Sequence, residues 1–108
     1  MSQRHLSRSI VLQTLFEWDF SAKTGGSAGP KGGEVWELLE KNIAEFAPGS
    51  SDRPFMEKLL RTVLDKQRDL DVLIEKAAPE WPINKINPVD RNILRLGLAE
   101  LLFADRKE

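Results

Sequence analysis

Arg4, His5 and Arg8 lie close together near the start of the chain, at the head of a long stretch without glycine or proline. If that stretch is helical, they occupy its first turns, at the positive end of the macrodipole, where cations are misplaced. Arg4 and Arg8 are also an i,i+4 like-charge pair, which costs about 0.2–0.5 kcal/mol. An arriving phosphate reverses the cost by meeting two guanidinium forks and the free N–H groups of a helix N-terminus, so the chemistry on offer is gripping an RNA backbone. The alternative, two solvated arginines on an accessible helix end, stays open. His5 alone reads as a surface residue as readily as a ligand. Trp18, further along the same helix, offers a face for a base to stack on, whereas tryptophan in a small domain more commonly packs. Trp36 and Trp81 are assigned to packing. Arg91 and Arg95 repeat the i,i+4 spacing near a later helix start, but Asp90, Glu100 or a neighbouring acidic helix can pair with them internally. Glu34, Glu37, Glu40 and Glu45 make one solvated helix face.

Catalysis finds little here. There is one histidine, no cysteine and no tyrosine, no Ser/His/Asp set on a nucleophile turn, and no Gly-rich phosphate loop before a helix. The expectation is a protein that is not an enzyme and has no metal site and no cofactor. Sixteen Lys plus Arg against seventeen Asp plus Glu give a net charge of -1, so any nucleic-acid site is a local patch. No run of roughly 20 apolar residues is present, which predicts no membrane association, and the lack of cysteine suits a cytoplasmic protein. At 108 residues, the chain is the size of one small domain.

The elements that must position these residues are helices. From Ser2 to Phe20 the apolar residues recur at helical offsets on most sides, which predicts a helix wrapped by neighbours. Thr24 to Gly33 reads as a loop. Glu34 to Phe46 is a second helix, ended by Pro48-Gly49. Ser50 to Pro54 caps a third, which runs to about Arg68, and Asp69 to Ala77 continues as a fourth. Two prolines break the connector 79–86, which Trp81 is expected to pin to the core. Asn87-Pro88-Val89-Asp90 starts a fifth helix with an Asn cap and proline at its first position. That helix carries an apolar arc too wide for one neighbour, through Ile93, Leu94, Leu96, Leu98, Leu101, Leu102 and Phe103. No strand is convincing, and the class is all-α.

Two stretches carry a resemblance, 4–18 (RHLSRSIVLQTLFEW) and 81–102 (WPINKINPVDRNILRLGLAELL). Together they resemble the first helix and the Trp-connector plus central helix of the NusB family of bacterial transcription antitermination factors. The resemblance implies a NusB-like helical bundle of about five helices, with an N-terminal three-helix bundle over 1–68 and the start of a C-terminal bundle over 69–108. Family members generally continue with two further helices, so within these residues the C-terminal bundle is incomplete. The expected partners are boxA-type single-stranded RNA, the NusE-type ribosomal protein and the antitermination complex of RNA polymerase. The RNA-binding positions the resemblance implies are Arg4, His5 and Arg8, beside Trp18, which its residue type offers for stacking. His5 and Leu6 stand where relatives often carry further arginines, which implies fewer phosphate contacts and a shallower salt dependence. An uncovered last helix implies a homodimer through 87–104, because each exposed large apolar side chain forgoes about 1.5–3 kcal/mol. Two other readings share the fold: the RNA-binding domain of a ribosomal RNA cytosine methyltransferase, and a helical interaction module without RNA.

Overall fold

The computed structural model describes residues 3–23 and 32–103. In chain order these form α1 (Gln3–Lys23), α2 (Gly32–Phe46), α3 (Arg53–Ala77), a 3-10 turn (Ile83–Lys85) and α4 (Pro88–Leu102), with no strand among the described residues. The all-α expectation holds. Of the expected loop 24–33, residues 24–31 lie outside the described ones, and Gly32 and Gly33 open α2. No described helix is long and apolar enough to cross a membrane. The chain divides into two compact units, Met1–Met56 and Glu57–Glu108.

In the first unit α1 packs on α2. On α1 the buried residues are Ser7, Ile10, Val11, Thr14 and Leu15, and on α2 they are Val35, Leu39, Asn42 and Ile43, each set spaced by threes and fours as one helix face requires. Two of the three polar members satisfy each other: the Thr14 hydroxyl donates to the Ile10 carbonyl at 2.9 Å and accepts from Asn42 Nδ2 at 3.0 Å. An unpaired amide at this depth would cost about 1–3 kcal/mol, so the pair also fixes how the helices face each other. The expectation that α1 is wrapped on most sides needs correction, because Leu6, Ser9, Gln13 and Phe20 are exposed along it. α2 ends where Ala47 N–H bonds the Ile43 carbonyl at 2.9 Å and Gly49 turns with φ 75°, a conformation that costs a residue with Cβ about 1–2 kcal/mol.

The expected third and fourth helices are one. α3 runs unbroken from Arg53 to Ala77, because no glycine or proline follows Pro54 until Pro79, and Leu60, Val63, Leu70 and Ile74 are buried along it with Gln67 half-buried between. Asp69 and Asp71, read above as the first turn of a new helix, sit in mid-helix instead.

In the second unit α4 begins as its sequence predicts. Asn87 is the cap, its side chain accepting from the Asp90 N–H at 2.9 Å, with Pro88 in the first turn. Trp81 does not pin the connector, being 66% exposed. Arg91 does so: its Nη1 donates to the carbonyls of Ile83 at 3.0 Å and Ile86 at 2.8 Å. Arg95 donates Nε and Nη2 to the two oxygens of Asp71 at 2.7 and 3.0 Å, and Nη1 to Asn92 Oδ1 at 3.1 Å. Both arginines are 4% exposed, so they serve internal pairing, as one of the sequence readings held.

Removing the Arg95 guanidinium leaves Asp71 and Asn92 without their donor. Arg95→Ala therefore lowers unfolding free energy by about 3 kcal/mol, well above the 0–1 kcal/mol of a surface pair, measured from urea midpoints at neutral pH.

Candidate nucleic-acid interface

The start of α1 stands beside the 47–52 turn and the first residues of α3, and the groups that matter meet there within the first unit. Asp52 immediately precedes α3, and its carbonyl accepts the Met56 N–H at 3.2 Å. Ser50 Oγ holds the Asp52 N–H at 3.0 Å. With its backbone so fixed, the Asp52 carboxylate reaches back to α1. Oδ2 accepts from the Ser7 hydroxyl at 2.6 Å and from Arg4 Nε at 3.1 Å, and Oδ1 accepts from Arg4 Nη2 at 3.3 Å. This two-point contact sets the plane of the Arg4 guanidinium, whose Cζ lies 3.9 Å from the centroid of the Phe55 ring. Arg8 approaches the same ring at 5.7 Å.

The like-charge pair that looked unfavourable in sequence is thus compensated. The π face of Phe55 attracts both cations, and the Asp52 carboxylate neutralises part of their charge. Burial pushes the Asp52 carboxyl up, but the hydrogen bonds from Ser7 and Arg4 and the charges of Arg4 and Arg8 outweigh it, leaving the group below its ordinary value. The Arg4 side chain stays 49% exposed while Asp52 is largely covered. The outcome is a cationic helix start with one exposed aromatic-backed guanidinium plane, a surface suited to a phosphate or a stacked base.

Of the four positions predicted from sequence, the structure brings Arg4 and Arg8 together over Phe55. His5 is exposed next to them in the first turns. Trp18 lies fourteen residues beyond Arg4, about 21 Å along the helix axis at 1.5 Å per residue, and so stands apart from this cluster. It is half-buried, and its indole N–H is enclosed without an acceptor among the described residues. Sequence reasoning missed Asp52 and Phe55. In sequence Asp52 reads only as part of a helix start and Phe55 only as one residue of the helix that follows, and neither pairing is local. The described residues contain no group of three or more His, Cys, Asp or Glu placed to hold a metal.

The model of the NusB family matches residues 5–108. The chain belongs to the NusB family. Relatives within it include three called transcription antitermination protein NusB. That of Geobacter sulfurreducens is 36% identical over 104 residues, 95% of this chain and 68% of the relative. That of Chloroflexus aggregans is 33% identical over 102 residues, 94% of this chain and 61% of the relative. That of Aquifex aeolicus is 31% identical over 108 residues, 100% of this chain and 67% of the relative. The chain thus spans roughly two thirds of the length of these NusB relatives. No solved structure matches it. The NusB name belongs to transcription factors and not to a class of enzyme, in keeping with the sequence reading.

The lowered pKa of Asp52 gives a signed pH dependence. A carboxyl with its folded pKa depressed contributes stability that is fully present above its unfolded value, near 3.8, and is lost as pH falls through the folded value. Asp52→Asn removes that contribution, so the wild-type advantage over the variant shrinks between pH 6 and pH 2.5. Urea midpoints for both proteins across that range check it.

Proposed function

We propose that this NusB-family chain is a cytoplasmic transcription antitermination factor that binds boxA-type single-stranded RNA. It acts with the NusE-type ribosomal protein in the antitermination complex of RNA polymerase. The observation that carries the RNA reading is the stacking of Arg4 and Arg8 on one Phe55 ring at an exposed helix start. Planar guanidinium groups backed by an aromatic ring are pre-ordered to meet a phosphate with two parallel N–H donors or to stack under a base. His5 extends that surface, and Trp18 supplies a second stacking face further along α1. Asp52 sits in this reading as a competitor: it holds Arg4 where phosphate would bind and must be partly displaced by RNA. The relatives' shared name supports antitermination, and nothing in it favours the methyltransferase reading. The proposed assembly also includes a homodimer through the last helix, expected over 87–104 and observed as α4.

Fluorescence anisotropy of a labelled boxA-like RNA, with and without the NusE-type protein and at several salt concentrations, tests the RNA reading. Arg4→Ala with Arg8→Ala removes two phosphate contacts, so affinity falls and the slope of log K against log salt becomes shallower by about 1.4 for a single strand. Circular dichroism of the double variant stays helical. Asp52→Asn shifts affinity the other way, tightening RNA binding at neutral pH. Equal affinity for all three proteins would overturn the assignment.

A further inference from the structure

Ser7 lies on the inner face of α1 at 2% exposure, a position where alanine would be the better helix former. Its hydroxyl oxygen stands 2.9 Å from the Gln3 carbonyl and 2.6 Å from Asp52 Oδ2. A hydroxyl has one proton to give, and the shorter contact to an anion takes it ahead of a neutral carbonyl. Burial pushes the Asp52 carboxyl up, and of the groups that hold it down the Ser7 bond counts for most, ahead of the Arg4 bond and the charges of Arg4 and Arg8. Asp52 thus has two holders of opposite character. Ser7 grips it from the buried side, whereas the Arg4 side chain is 49% exposed and reachable from solvent. Nor does the 50–52 turn need Arg4 to stay against α1, since Gln3 Nε2 donates to Ser50 Oγ at 3.1 Å and Ser50 Oγ holds the Asp52 N–H at 3.0 Å.

We propose that Ser7 is a positioning residue for the RNA site: its buried hydroxyl keeps the Asp52 carboxylate hydrogen-bonded to α1 while Arg4 leaves it for a phosphate. This rests on the RNA reading above and names what lets Arg4 change partners. The Asp52 side chain is only 14% exposed, so it has little water to turn to, and a covered anion that loses its cation without a remaining donor is strongly unfavourable. Ser7 supplies that donor from behind the ion pair. Its bond also gains in the exchange. While Arg4 is in place, the hydroxyl donates to an anion whose charge is partly neutralised; once a phosphate has taken Arg4, the same proton faces the undivided charge. A bond of equal strength in both states would leave affinity unchanged, so this gain is what RNA binding feels. Ser50 cannot take over the role, because its oxygen holds the Asp52 backbone and not the carboxylate.

Anisotropy titration with the labelled boxA-like RNA, extended to Ser7→Ala alone and in the Asp52→Asn background, tests this. With Asp52 present, Ser7→Ala weakens RNA binding about fivefold, because the carboxylate that Arg4 releases has lost its donor. In the Asp52→Asn background no anion is stranded, and the same substitution changes affinity by less than about twofold. Circular dichroism of Ser7→Ala stays helical, alanine being the better helix former. NMR titration of the Asp52 carboxyl carbon gives a readout without RNA: Ser7→Ala raises its pKa, since the bond that lowers it is gone. An unshifted titration overturns the inference whatever the RNA does. Wild-type affinity in Ser7→Ala, with Arg4→Ala still impaired, overturns it and leaves the RNA reading standing. An equal loss in both backgrounds overturns it as well, because Ser7 would then act through helix packing. Failure of the wild-type chain itself to bind RNA removes both the inference and the reading beneath it.

Discussion

Two guanidinium groups buried by α4 set the constraint to which the rest of the second unit answers. Arginine cannot shed its charge, and an unpaired one at 4% exposure would cost several kcal/mol. The connector must therefore fold so that the Ile83 and Ile86 carbonyls point at Arg91, and α3 must stay helical through Asp71 so that its carboxylate arrives opposite Arg95. Both demands are geometric. They explain why a segment with two prolines follows a defined path although its tryptophan is exposed, and why α3 does not break where its sequence turns acidic.

The same pairing logic runs at lower burial in the first unit, with a different result. Arg4 also has a two-point carboxylate partner, but its side chain is half exposed and lies over an aromatic ring. In the Arg95 pair the guanidinium is only 5% exposed, and the pair contributes to the fold. The Arg4 pair stays reachable, so an incoming anion can compete with Asp52 for it. Burial, not residue type or spacing, separates the structural arginines from the candidate binding ones. Both pairs of arginines have identical i,i+4 spacing in sequence.

That identity marks how far the sequence could be read. Helix positions, the Asn87 cap, the Pro48-Gly49 stop and the class were legible because they depend on neighbours a few residues apart. The partners were not. Asp52 meets Arg4 across forty-eight positions and Asp71 meets Arg95 across twenty-four, and no local pattern selects those carboxylates from the seventeen acidic residues present. The division of 53–77 into two helices came from over-weighting Asp69 and Asp71 as a favourable first turn, worth a few tenths of a kcal/mol. An uninterrupted apolar stripe outweighs that easily. Trp81 was misplaced for a related reason, since its size argued for burial while the actual anchor was a polar side chain ten residues later.

The wide apolar arc of α4 was visible in sequence, but its cause was not. Counting apolar residues suggested a helix with neighbours on two sides. The structure shows instead that polar side chains take the inner face, which leaves Ile93, Leu94 and Leu101 outside in spite of their type. Hydrophobic burial favours turning those residues inward by about 1.5–3 kcal/mol each. Inversion would strand Arg91, Asn92 and Arg95 with nothing to pair with, at a greater combined cost. The outward arc is therefore a consequence of the inner pairing and not a packing fault. Any change that replaced both arginines with apolar residues of similar volume would remove the reason for the helix's orientation along with the pairing itself.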